Sequence, residues 1–170
     1  MKNKLVALAL AVGAFLLGGC MNAIQMSGSA PAQLNASVAE GRSPALHSGD
    51  HPAFWLWTDG EGAWHLRTTT ARRSHRFQGR IHPVAPGAIV GLEGVGLEGG
   101  RRHADEIGMV AGDLALDFTT KGAEDGVDFH VSGNCCLEID LRIDGDGDPG
   151  RIFIGPKQTR PGSAHFMLCP

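Results

Sequence analysis

The chain has 170 residues, with 15 Lys and Arg against 18 Asp and Glu and a formal net charge of −3. That mildly acidic balance gives no basic footprint for phosphates, so nucleic acid is excluded as the expected partner. The length suits one hydrophobic core, and 25 glycines point to many turns.

Lys2 and Lys4 open the chain, and Leu5 to Leu17 follows as an almost unbroken run of Leu, Ala, Val, Phe and Gly. A bilayer span needs roughly 20 such residues, so this run is too short to cross one. A charged start, a short apolar run and small residues before a cut site describe an export signal. Its end, Leu17-Gly18-Gly19-Cys20, resembles the lipobox of bacterial lipoproteins. The resemblance implies cleavage before Cys20 and its acylation, palmitate included, which makes residues 1–19 a lipoprotein signal peptide. More than one acyl chain then holds a protein stably on a membrane. Met21 stands after the cysteine where an Asp would suggest retention in the inner membrane. The resemblance therefore implies the outer membrane of a Gram-negative envelope, on its periplasmic face or at the surface.

Residues 20–50 are small, polar and short of large apolar side chains, and read as a lipidated flexible tether. A flexible chain of that length spans roughly 30 Å root-mean-square. Residues 51–170 form the expected domain. Its period is two throughout. In AWHLRTTT, Trp64, Leu66, Thr68 and Thr70 share one face and His65, Arg67 and Thr69 the other. DLALDF sets Leu114, Leu116 and Phe118 against Ala115 and Asp117, and GVDFHV groups Val127, Phe129 and Val131. LEIDLRID alternates most cleanly, with Leu137, Ile139, Leu141 and Ile143 inward and Glu138, Asp140, Arg142 and Asp144 outward. Such alternation marks half-buried strands. ARRS (71–74) and GDGDPG (145–150) read as hairpin connections, and RRHADEIGM (101–109) as the one place for a turn or two of helix. The expected fold is all-β: an antiparallel two-sheet sandwich, jelly-roll-like, of about eight strands.

FWLWT (54–58) places Trp55 and Trp57 on one face, where a pair of indoles suits a sugar ring; a strand apolar on both sides and buried between layers is the plainer reading. Arg72 and Arg73, with Arg76, Arg101 and Arg102, offer guanidinium forks for phosphates or uronic acids. DGDGDPG sets Asp144, Asp146 and Asp148 at alternate positions, which resembles the start of a calcium loop of the D-x-D-x-D-G kind. Gly150 follows Pro149 instead of standing next to Asp148, and Gly155 occupies the place of a closing Glu. A second acidic stretch, Glu124, Asp125 and Asp128, would add ligands if it lay nearby. GVGLEG (94–99) matches a dinucleotide fingerprint only formally, because no helix pattern follows it.

Three cysteines remain beyond Cys20. Counting faces puts Cys136 and Cys169 outward on one sheet and Cys135 inward, so Cys136–Cys169 is the expected disulfide. Cys135–Cys169 is its rival through a bulge, and a vicinal Cys135–Cys136 pair is the third possibility. The eight histidines are scattered, without H-E-x-x-H or C-x-x-C spacing. The strong signals thus concern address and fold. The expectation is a membrane-anchored envelope lipoprotein with a non-catalytic β-sandwich that binds an envelope protein or glycan. The alternatives are a polysaccharide hydrolase gathering His65, His75, Asp117, Asp125 and Asp128 in one cleft, and a calcium-stabilised glycan-binding module.

Overall fold

The computed structural model describes residues 30–46, 51–59, 61–70, 74–95, 107–120, 123–145, 147–156 and 158–170. The signal segment, Cys20, Arg72, Arg73, Arg101, Arg102 and Asp146 lie outside them.

The described residues form twelve strands and no α-helix: β1 (Ala32–Asn35), β2 (Ala53–Thr58), β3 (Ala63–Thr69), β4 (His75–Pro83), β5 (Ala88–Val95), β6 (Ile107–Val110), β7 (Asp113–Thr120), β8 (Ala123–Ser132), β9 (Leu137–Asp144), β10 (Arg151–Ile154), β11 (Gln158–Pro161) and β12 (Ser163–Cys169). One 3₁₀ turn, Ala36–Ala39, follows β1, started by the Asn35 side chain accepting the Ser37 N–H. The strands pair in two six-stranded sheets, ordered β1-β12-β9-β4-β7-β6 and β11-β10-β2-β3-β8-β5. We call these the first and second sheet.

The two-sheet all-β sandwich is as the alternation requires, but two finer expectations are corrected. There are twelve strands and not eight, because β1, β6 and β11 hold four residues each, too few to display a period, and Gly91 and Gly94 break the alternation of β5. The sheets are mixed and not purely antiparallel: β1 runs parallel to β12, and β10 parallel to β2. Both parallel pairs join segments remote in sequence, which no local pattern marks. The segment read as tether therefore contains β1, and Glu40 continues the fold as a bridge to Thr58.

Neither 71–74 nor 145–150 is a hairpin. The first links β3 in the second sheet to β4 in the first, and the second links β9 back to β10 across the sandwich. The tail of the stretch read as helix, Ile107 to Met109, lies in β6. The tight hairpin is β6–β7, where Ala111 (φ 52°) and Gly112 (φ 92°) both take the left-handed backbone of a two-residue turn.

Inward side chains of both sheets fill one core. Phe54 of β2 meets Phe77 of β4 edge-on with centroids 5.1 Å apart, and Phe77 stacks at 5.8 Å on Phe118 of β7. Leu137, Ile139, Leu141 and Ile143 are all buried there. Each fully buried side chain of this size contributes about 1.5–3 kcal/mol. At one side of that core, β12 lies against β10 and β11. Among the described strands, the edges β1 and β11 therefore share one flank of the sandwich, and β5 and β6 share the other.

The disulfide forms between Cys136 and Cys169, whose neighbours Leu137 and Leu168 are register partners on β9 and β12. Cys135 is a free, half-buried thiol. A side chain at Gly87 would collide with its sulfur.

Candidate functional site

The densest meeting of charged and aromatic groups among the described residues is the outer face of the second sheet. Alternation puts Phe54 and Leu56 in the core and turns Trp55 and Trp57 outward. Register then sets Trp57 beside His65, and His65 beside Asp128. One step along, Trp55 lies beside Arg67, and Arg67 beside Gly126. Glycine is required at 126, since a Cβ there would stand 2.0 Å from the Leu66 carbonyl oxygen.

With that space open, Arg67 lies along the sheet. Its Nη1 donates to the Leu66 and Val127 carbonyls at 3.1 Å each, and its Nη2 reaches Asp128 Oδ1 at 2.6 Å. The guanidinium also sits 5.5 Å from the Trp57 ring centre. His65 stacks on the same indole at 4.9 Å. Its Nδ1 is 2.8 Å from Asp128 Oδ1 and its Nε2 3.4 Å from Asp59 Oδ2. Burial pushes the Asp59 carboxyl up. The Glu61 N–H, His65 and the Ala63 N–H outweigh that and hold it below its ordinary value. An imidazole between two carboxylates, with an arginine sharing one of them, is a compact network of charged and polar groups whose members satisfy one another.

The tryptophans are not an open platform. Each is 5 % exposed. Trp55 stacks flat on Phe153 at 3.9 Å and donates its Nε1–H to Thr69 Oγ1. Trp57 is faced by His65 and Arg67, and Leu46 packs against the pair. The indoles thus share a face as expected, but it is a second, covered apolar cluster on the outside of the sheet. Sequence reasoning missed Asp59, Phe153 and Leu46. The sign it had was Asp59-Gly60, since an aspartate before glycine commonly accepts nearby backbone N–H groups, as Asp59 Oδ1 does from Glu61 and Ala63.

The other expected residues are dispersed. Asp117 lies on the outer face of the first sheet, gripped by a two-point Arg76 fork at 2.6 Å and by Gln78. His75 and Asp125 are buried at inward positions of β4 and β8. The five residues of the hydrolase reading thus occupy three places. Of the acidic loop, Asp144 pairs with Arg142 Nε, and Asp148 with His51 Nδ1 and the Gly150 N–H. Among the described residues no three His, Cys, Asp or Glu side chains are grouped to hold a metal ion. On the first sheet's outer face Arg80 and His82 share Asp113, and His165 Nε2 meets Glu138.

These contacts set an acid limit to stability. The Arg76 hydrogen bond holds the Asp117 carboxyl below its ordinary value against burial, and the Gly150 N–H and His51 do so for Asp148. A depressed folded value means that the unfolded chain binds more protons below about pH 4. The contribution of these carboxylates is therefore full above that pH and is lost as the pH falls through their folded values. Urea midpoints are expected to drop below pH 4, and Asp117→Asn to flatten that drop. An acid limb of unchanged steepness in Asp117→Asn would remove Asp117 as its source.

No family model matches the chain, and no curated protein or solved structure matches it either.

Proposed function

We propose that this protein is a lipid-anchored lipoprotein of the bacterial cell envelope, whose β-sandwich is a non-catalytic module that binds an envelope protein or glycan. Cys20 carries the acyl chains, at the outer membrane of a Gram-negative host. The observation that carries the reading is the Leu17-Gly18-Gly19-Cys20 box twelve positions before β1 begins at Ala32. Twelve residues reach about 40 Å at full extension, enough to clear lipid headgroups while keeping the domain near the surface. A disulfide between Cys136 and Cys169 suits an oxidising envelope compartment.

For a binding role, the support lies in how the reactive side chains are spent. His51, His65, His82 and His165 each hold a carboxylate. The nested pairs β4·β9, β5·β8 and β6·β7, alternating between the sheets, favour a jelly-roll-like winding, a rigid frame for variable loops. The test is labelling with radioactive palmitate in a Gram-negative host. The unsubstituted chain is expected to take up label and to fractionate with the outer membrane, and Cys20→Ala to lose both. Equal labelling of the two chains would overturn the anchor.

A further inference from the structure

The exposed large apolar side chains among the described residues are Val90, Met109 and Val110, at 48 %, 43 % and 41 % exposure. All three stand on β5 and β6, which among the described residues are the two edge strands of one flank. A free edge offers unpaired N–H and C=O groups to any strand that approaches, and proteins blunt it with charge, proline, a bulge or brevity. The opposite flank is blunted: Pro31 precedes β1, and β11 carries Arg160 and Pro161. On this flank β5 is interrupted by a bulge between Val90 and Leu92, with Gly91 at φ +64°, and bears Glu93. β6, Ile-Gly-Met-Val, is blunted only by its length of four residues, with no charge, no proline and a regular register with β7.

We propose that this flank is a self-association surface, on which a second copy of the chain docks about a twofold axis perpendicular to the sheets. β6 then pairs antiparallel with its counterpart, and the first sheet runs on across both protomers. Opposed residues must point to the same side, which admits only alignments pairing residues of equal parity, and the one centred on β6's exposed methionine covers it against its own copy. Met109 therefore meets Met109 of the partner subunit, and Gly108 meets the partner's Val110. The occupant follows from two features. The strand facing β6 has to be uncharged and apolar, and β6 opposes its own copy without like charges. The flank also presents apolar groups at two levels, one per sheet, about 10 Å apart. A single added strand covers one level. A copy of the sandwich under that twofold covers both, bringing Val90 towards Val90 of the partner subunit where the bulge leaves no ladder. The contact is of the small, reversible class.

The test is cysteine cross-linking of the full-length chain in its own membranes. Met109→Cys under a mild thiol oxidant is expected to give a homodimer of doubled mass on a non-reducing gel. Its yield should exceed severalfold that of Arg160→Cys on the opposite flank and of the unsubstituted chain, which carries Cys135. Met109→Lys, with an unchanged melting temperature, is expected to abolish the concentration-dependent sedimentation of the detergent-solubilised chain. A Met109→Cys yield equal to the controls overturns the proposal. So does an adduct with a different protein, which would make β6 an edge for a foreign strand.

Discussion

Replacing Cys136 and Cys169 together with serine is expected to lower the unfolding free energy by roughly 3–4 kcal/mol. The bridge closes a loop of 33 residues, and that figure is the chain entropy which the closure removes from the unfolded state. In a domain of this size it corresponds to a fall in melting temperature of roughly 10 °C. Position makes the loss cooperative. β12 carries β1 on one side and β9 on the other, so releasing its end loosens the three strands at one flank of the first sheet. Thermal unfolding with and without a reductant measures it. A reduced chain that melts with the oxidised one would mean that the bridge adds nothing to the fold. Cys135→Ser serves as the control, because that thiol is free and half-buried.

What the amino-acid order disclosed and what it hid follow one physical division. Strands of seven to ten residues announce their faces, because each has several side chains on either side. Leu137, Ile139, Leu141 and Ile143 are buried as their alternation requires, and face counting on two such strands brought out Cys136 and Cys169. Strands of four residues announce little: RIFI of β10 still alternates, but β1 lies inside a polar, tether-like stretch and β6 at the end of one that reads as a helical turn. Pairing is non-local as well. GDGDPG looks like a hairpin turn, yet its two strands belong to different sheets, because β2, nearly a hundred residues earlier in the chain, captures β10 in parallel. The candidate site shows the same limit. Alternation placed Trp55 with Trp57 and His65 with Arg67. Register between β3 and β8 supplied Asp128, and packing from Phe153 and Leu46 closed the face. Whether two outward indoles stay open depends on such distant partners.

Asp128→Ala is expected to cost about 3 kcal/mol, because it strips the counter-charge from a guanidinium that the fold keeps buried. The Arg67 side chain is 10 % exposed and Asp128 30 %, so the sheet keeps from the pair much of the solvent that would screen it. Removing the carboxylate leaves Arg67 with two backbone carbonyls and the Trp57 ring, and it also releases His65 Nδ1. Arg67→Met with Asp128→Leu removes both charges and keeps apolar bulk over Trp57, and should recover most of the loss. The double-mutant cycle then reads the coupling between the two residues. Asp144→Ala is the reference for an exposed pair. Its partner Arg142 is 59 % exposed, and the expected effect is below about 1 kcal/mol. Denaturant midpoints report the stabilities and tryptophan emission reports the Trp57 environment. If Asp128→Ala were no worse than Asp144→Ala, Arg67 would have water to turn to. The outer face of the second sheet would then be open enough to receive a ligand, with Trp57 and His65 as the surface it meets. A large loss confined to Asp128→Ala makes the same residues the clamp that fixes β3 to β8, and moves the search for the binding surface to the loops and the β5–β6 flank.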